Sequence, residues 1–340
     1  CANHKAAAEN RNGSEAAALF TDSARCGIYV GSGTEVCVVS TKIITHDDCL
    51  DHVNPQGHPE QVARLEHVLK ALAPLGLEMV SAPLAPDDDL LRCHPQSHIT
   101  ALRAAAPQEG WSRLDADTHM SPGTLTAALR AAGGAIRAVD MVMSGEAGNV
   151  FVATRPPGHH CERETPMGFC FFGNVALAAK HALEHHGLSR VAIVDFDVHH
   201  GNGTQDLVEG DGRIFFASTH QMPLYPGTGH AHETGGYGNV LNCPLPDGAG
   251  SAAFRAVMEA EVLPAVERFA PEFVFISAGF DAHVADPLAG MNLTEEDFSW
   301  ITQRLCELAA KHCKGRVVSC LEGGYDLEAL AASAAAHVSI

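Results

Sequence analysis

The amino-acid sequence predicts an α/β protein built on a single open, mostly parallel, doubly wound sheet with helices on both faces. Three observations lead there. Short β-branched or apolar runs recur without polar alternation, longer amphipathic stretches separate them, and several runs end on polar clusters of Asp, His and Gly. Strands without alternation are buried on both faces, as in a parallel sheet covered by helices. Alternation of strand and helix then makes the doubly wound arrangement the expected one.

Taken in order, residues 1–38 are rich in Ala, Asn, Gly and Ser around Gly31-Ser32-Gly33 and read as a poorly ordered leader, so the folded unit is expected over 39–340. The first strand is Lys42 to Thr45, followed by helical periodicity over Gln61 to Leu72 and Thr124 to Met143. A strand at Val150 to Thr154 leads into the helix Val175 to His186, and strands at Val191 to Phe196 and Ile214 to Thr219 precede the amphipathic stretch Ala252 to Phe269. Phe273 to Ser277, the helix Glu295 to His312 and the strand Val317 to Leu321 complete the pattern. No repeat of fixed period runs through it.

Composition narrows the function. Lys and Arg number 22 against 41 Asp and Glu, a formal net charge of −19, which disfavours gripping nucleic-acid phosphates or an anionic membrane and favours cationic partners. The 11 cysteines are odd in number and irregularly spaced, with no C-x-x-C, so free thiols and a reducing, cytoplasmic setting are expected. No apolar run approaches the roughly 20 residues of a membrane span. The chain begins at Cys1 rather than Met and reads as a fragment lacking its true start. Histidine, at 21 copies, is the anomaly.

In open α/β sheets function collects beyond the carboxyl ends of the strands. There the sequence places Arg155-Pro-Pro-Gly-His159-His160, Asp195-Phe-Asp197-Val-His199-His200-Gly-Asn202-Gly, Ser277-Ala-Gly-Phe-Asp281-Ala-His283 and Glu322-Gly-Gly-Tyr325. Asp197 and His199 are two apart, so on an extended strand end their side chains share a side, and Asp281 from another strand end is a third candidate ligand. One imidazole and two carboxylates suit Zn²⁺ or Fe²⁺ and leave a position open, the layout of a catalytic site that activates water and polarises a carbonyl. Taken alone, Asp197 and His199 could equally be a capping turn with a buried His; Asp281 and the His pair tip the balance. Asp195 is an orienting neighbour or a helix cap. His159-His160 after a rigid Pro-Pro-Gly turn offers a neutral imidazole as general base, and Tyr325 after Gly-Gly a donor to a developing oxyanion. The competing readings are a solvent-facing loop for the His pair and a core Tyr at a turn.

A second motif needs weighing. His181-Ala-Leu-Glu184-His185 matches the H-x-x-E-H of inverted zinc proteases, but an exposed helix face with a C-terminal His cluster favoured by the helix dipole is the expected account. No G-x-S-x-G, G-x-G-x-x-G or phosphate-binding G-x-x-x-x-G-K-[ST] segment occurs, which disfavours serine hydrolases, dinucleotide enzymes and P-loop enzymes.

These motifs, in this order, resemble the zinc-dependent histone deacetylase and acetylpolyamine amidohydrolase superfamily, in particular its class II branch and bacterial relatives. The chain carries R-P-P-G-H-H, G-F-C-F-F, D-x-D-x-H-H-G-N-G-T, P-G-T-G, G-F-D and E-G-G-Y between residues 42 and 337. The resemblance implies the arginase/deacetylase-like version of the fold, with Zn²⁺ on Asp197, His199 and Asp281, His160 as general base, His159 as its electrostatic partner and Tyr325 as oxyanion donor. It also implies a structural K⁺ near Asp195, Asp197, His199, Ser218 and Thr219, and a tunnel for an acylated lysine walled by Phe169 and Tyr225, with Leu288 at its mouth. Arg64 matches an acetate-release channel, although an Arg on the first turns of a helix needs no such role. Asn202 stands behind the second His where class II members carry Asn. Arginases share the fold but need D-x-H-x-D, and position 201 is Gly201. Asp286-Pro287 is followed by Leu288 rather than an acidic gatekeeper, which favours an acyl-lysine peptide or protein, or another neutral amide, over polyamines. The alternatives are an acetylpolyamine amidohydrolase, acting on a small acylated amine, and a catalytically silent acyl-lysine binding module.

Overall fold

The computed structural model describes residues 40–340; the leader expected over 1–38 lies outside them. In chain order the elements are β1 (Thr41–Thr45), α1 (Ala63–Leu72), β2 (Glu78–Ser81), α2 (Asp87–Leu90), α3 (Gln96–Ala105), a short hairpin of β3 (Ser112–Arg113) and β4 (His119–Met120), α4 (Thr124–Ser144), β5 (Asn149–Val152) and α5 (Asn174–Glu184). There follow β6 (Val191–Asp195), α6 (Asn202–Val208), β7 (Ile214–Gln221), β8 (Val240–Leu245), α7 (Ser251–Val257), α8 (Leu263–Phe269), β9 (Val274–Ala278), α9 (Glu295–His312), β10 (Val317–Leu321) and α10 (Leu327–Val338).

Eight strands form one sheet in the order β2-β1-β5-β10-β9-β6-β7-β8, and every pairing in it is parallel. The lack of polar alternation has its cause here: β6, β9 and β10 are buried at every position, because helices cover both faces. One core packs Leu65 of α1, Phe254 of α7, Phe298 and Leu305 of α9 and Leu330 of α10 on one face; the other packs Ile99 of α3, Ala132 and Val139 of α4 and Leu177 of α5 on the opposite face. The expected doubly wound sheet is the observed one.

Besides the short hairpin β3-β4, two strands of the main sheet carry no sequence signal, and both are edges. β2 is largely exposed, so its residues need not be apolar. β8 contains Pro244, which edge strands tolerate because one side of the ladder is unpaired. The long stretch Ala252 to Phe269 proves to be α7 and α8 joined by a π turn over Met258–Val262. Pro264 has no N–H to bond the carbonyl four residues back, so the chain widens there instead of continuing regularly. α9 begins on a capping box in which Thr294 and Asp297 satisfy one another's backbone N–H groups.

Several histidines are core residues. His337 of α10 lies between the Thr302 hydroxyl at 2.6 Å and the Ser319 hydroxyl at 2.7 Å, and burial pulls its pKa down to about 4. His94 is pulled down to about 3 by burial and by nearby His98. Both are neutral in the fold and titrate near 6.5 when unfolded. Their contribution to stability is therefore complete above about 6.5 and is lost as pH falls through that value toward 4 and 3. The expected result is a Tm flat above about pH 7 and falling steeply between about pH 6.5 and 4, with His337→Gln removing part of the fall.

Candidate metal centre

The strands whose ends carry the four polar clusters are neighbours in the sheet, in the order β5-β10-β9-β6. Chain segments more than 100 residues apart therefore open onto one rim. Beyond β6, Asp197 is fully buried and His199 nearly so; beyond β9, Asp281 joins them. The His199 Nδ1 atom stands 3.2 Å from Asp197 Oδ1 and 3.1 Å from Asp281 Oδ2. The second oxygens are held by backbone N–H groups: Asp197 Oδ2 accepts from Gly323 at 2.8 Å and Asp281 Oδ1 from Val198 at 2.8 Å. One oxygen of each carboxylate is thus fixed by the fold, and the remaining atoms converge.

This donor set fits a cation. Burial works against a charged His199, yet the hydrogen bonds and charges of Asp197 and Asp281 hold it up to about 10, so the point where the three donors meet demands a positive charge. A Cβ added at Gly279 would overlap the Asp197 carboxylate, and one at Gly323 would overlap those of both Asp281 and Asp197. Gly323→Ala is accordingly expected to weaken metal retention by about 10- to 100-fold, the usual cost of disturbing groups that orient ligands, measured as metal content after dialysis against a chelator.

Around the triad the two histidines of the Pro-Pro-Gly turn are placed differently. His159 Nδ1 lies 3.0 Å from Asp195 Oδ2, and although burial opposes charge, Asp197 and Asp195 raise its pKa well above the usual imidazole value. His160 is driven the other way, by burial first and then by the charges of His159 and His199. Its tautomer can be deduced. The Asn202 Nδ2 atom donates to Glu162 Oε1 at 2.9 Å, and a carboxylate only accepts, so the Asn202 oxygen faces His160 Nδ1 at 2.8 Å and receives a hydrogen from it. Nε2 of His160 is left with its lone pair. The turn is fastened from below by Glu322, whose Oε2 accepts from the N–H groups of Gly158 at 2.7 Å and His159 at 3.1 Å.

Tyr325 closes the site beyond β10. Its N–H donates to Asp286 Oδ2 at 2.7 Å, its ring lies under the Arg64 guanidinium at 4.9 Å and packs edge-on against Phe169 at 5.9 Å. Burial keeps its hydroxyl protonated well above the ordinary value, although Arg64 works against this. Phe169 and Tyr225, with His58, Asp117, Leu224 and Leu288, line a cavity of about 350 Å³ that reaches His160, His199 and Tyr325. Phe169 adopts φ 70°, a left-handed conformation that costs a non-glycine residue about a kcal/mol or more and marks a constrained position.

Arg64 is no surface residue of a first helical turn but is fully buried. It donates to the carbonyls of Gly324 and Glu322, each at 2.6 Å, and to Glu60 Oε1 at 2.9 Å. Glu60 also takes Arg155, which bonds both its oxygens, and His52 at 3.1 Å. Glu60 of this network and Asp117 carried no distinguishing sequence signal, while for Arg155 and Glu322 the strand-end motifs are visible but not their partners, which lie far off along the chain.

Near the expected K⁺, Asp195 pairs in register with Ser218 across β6 and β7. His220 Nε2 lies 2.9 Å from the Gly229 carbonyl and so bears the hydrogen; burial lowers this imidazole to about 4, and its Nδ1 accepts from the Ser218 hydroxyl at 2.9 Å. The lone pairs of Ser218 Oγ are therefore available, and the Thr219 hydroxyl is buried without a hydrogen-bond partner. The H-x-x-E-H motif needs a correction. His181 is buried, not on an exposed face, and with His186 it bonds Asp140 of α4 rather than the end of its own helix, because α4 packs directly on α5.

No disulfide joins the described cysteines, and no described helix is long and apolar enough to cross a membrane.

A parallel α/β sheet with a buried Asp-His-Asp cluster beneath a cavity of about 350 Å³ fits the class of the α/β amidohydrolases. The chain belongs to the histone deacetylase family: the histone deacetylase domain matches residues 58–340. It is 43% identical over 305 residues to histone deacetylase 10, chloroplastic, of Oryza sativa subsp. japonica, covering 83% of this chain and 69% of that one. It is 42% identical over 277 residues to the histone deacetylase-like amidohydrolase of Pseudomonas aeruginosa, covering 79% and 73%, and 40% identical over 300 residues to a probable deacetylase of Archaeoglobus fulgidus, covering 85% and 82%. The crystal structure of the HDA15 HD domain superposes with a TM-score of 0.84 at 34% identity, over 88% of this chain and 87% of that one.

Proposed function

We propose that the protein, through a catalytic unit spanning 39–340, removes acetyl or other short acyl groups from lysine side chains of peptides or proteins with a zinc ion held by Asp197, His199 and Asp281. The observation that carries this reading is the meeting of three buried donor atoms with a neutral His160 at the floor of a cavity of about 350 Å³ lined by Phe169, Tyr225 and Leu288. When bound, Zn²⁺, or Fe²⁺ in its place, supplies Lewis acidity to the acyl carbonyl and to water. The remaining work belongs to side chains. His160 takes a proton from water at Nε2 as the oxygen bonds the carbonyl carbon, and His159, held as a cation by Asp195, adds positive charge beside the developing oxyanion. Tyr325 donates its O–H to the same oxygen. The C–N bond then breaks, His160 returns its proton to the amine nitrogen, and a carboxylate and a free amine leave.

Phe169 and Tyr225 exclude water along the aliphatic chain, and Leu288 and Asp117 stand along the same cavity. With the acidic surface implied by a net charge of −19, Asp117 favours a cationic or backbone-amide partner over nucleic acid. Arg64 has two N–H groups beyond the three already committed, enough to meet a departing carboxylate. K⁺ held near Asp195, Ser218 and Thr219 would steady Asp195 and through it His159.

The deciding experiment is a side-by-side turnover panel of acetyl-lysine peptide, longer acyl-lysine peptides and acetylspermidine on the metal-loaded protein, with released acid measured directly. Preference for the peptides is expected. Preference for acetylspermidine would make it a polyamine amidohydrolase, and acetyl-lysine binding without acid release would make it a binding module.

A further inference from the structure

A second group of imidazoles meets a carboxylate away from the cavity, where α4 packs on α5. His181 and His185 lie one helical turn apart on α5, His186 follows the C-cap, and Asp140 reaches across from α4. The Nε2 atoms of His181 and His186 stand 2.8 and 2.7 Å from the same Asp140 oxygen. The rings of His181 and His185 are stacked with centroids 4.7 Å apart and planes inclined by 11°, and His186 meets both edge-on. One donor atom from each of the four residues lies within 4.8 Å of the others.

The bland account, histidines capping a helix C-terminus, predicts hydrogen bonds to the last carbonyls of α5. His181 and His186 bond instead to a carboxylate on another helix. His181 is only 5% exposed, yet its Nδ1 has no hydrogen-bond partner, the nearest acid being Asp89 at 3.9 Å. Three aromatic rings are thus packed together around one oxygen with part of their donor and acceptor capacity unused.

We propose that Asp140, His181, His185 and His186 form a second metal site, taking a borderline divalent transition metal such as Zn²⁺ or Ni²⁺, that clamps α4 to α5. Three imidazoles and one carboxylate suit zinc, nickel or copper and not the oxygen-seeking Mg²⁺ or Ca²⁺. An ion with bonds of about 2.0–2.1 Å holds its donors roughly 3.3 Å apart. The two short contacts to Asp140 need to open by only about half an ångström as the ion displaces the shared hydrogens. Four protein ligands close the coordination shell, so the site is structural and not a second catalytic centre. None of the four lines the acyl cavity.

The test compares the full chain with the double variant His185→Ala/His186→Ala, both without an affinity tag, after dialysis against excess Zn²⁺ and then metal-free buffer. The wild type is expected to retain one equivalent more than the variant. Added Zn²⁺ is expected to raise the wild-type Tm by about 2–5 °C more than the variant's, the effect of a ligand bound only by the folded state. Acid release from acetyl-lysine peptide should be unchanged. A second variant, Asp140→Asn, preserves an acceptor for the imidazoles while removing the charge, and should lower affinity by at least about 10-fold without loss of fold. Equal metal content and equal Tm response in all three proteins would overturn the proposal. Because the readout is a difference between variants, it holds whatever ion Asp197, His199 and Asp281 carry.

Discussion

Replacing Tyr325 by Phe is expected to lower kcat for the proposed acyl-lysine hydrolysis by about 10²- to 10³-fold while leaving metal content, fold and KM nearly unchanged. The hydroxyl is the single group lost. The ring stays where Arg64, Phe169 and the hydrogen bond from the Tyr325 N–H to Asp286 place it, so the variant removes a donor without moving the loop. Burial holds the phenol protonated far into the alkaline range, so wild-type and variant rates should differ by the same factor across the working pH range. His160→Ala is expected to cost at least as much, since the lone pair that Asn202 directs into the site has no substitute. Metal analysis and single-turnover acid release on the loaded proteins check both. Undiminished kcat in either would take that residue out of the reaction.

Glu60→Ala destabilises the whole protein by about 3–5 kcal/mol, the cost of leaving buried charge without its partner. Arg64, Arg155 and Glu60 are each fully buried, and the two guanidinium groups share this one carboxylate. Burial opposes ionisation of Glu60, but Arg155 and His52 with Arg64 hold its pKa well below the usual carboxylate range. Removing it strands two cations in the core beneath the Tyr325 loop. Glu60→Gln keeps the shape and some hydrogen bonds and should fall between the two, and denaturant unfolding of the three proteins gives the ranking. If Glu60→Ala unfolds at the wild-type midpoint, the cluster is dispensable for stability.

The central sheet was legible because fully buried strands must be mostly apolar on both sides, as Val191 to Val194 and Val274 to Ile276 are. The edge strands β2 and β8 were not, because one flank of each meets solvent or loop and the sequence constraint relaxes. α10 escaped for the opposite reason: Ala-rich and buried on most sides, it has little periodicity to detect. Within the site, Asp197, His199, Asp281, His159, His160 and Tyr325 stood out because chemistry forces unusual residue types onto strand ends. Glu60 and Asp117 did not, since an isolated acid in a sequence looks like any other; Arg155, Asp286 and Glu322 lay inside visible motifs, but their work of holding backbone and neighbouring charge could not be read from them. His181 misled for a related reason: the sequence shows the face of a helix but not the helix that will cover it.

The order of strands across the rim has a consequence for biogenesis. Asp197 and Asp281 lie 84 positions apart in the chain, yet they hang from adjacent strands, and Gly323, which pins Asp197, arrives later still. A growing polypeptide that has left the ribosome as far as His199 owns two donors and no binding place. A metal held by this triad would therefore bind only after the last two strands have docked, late in folding.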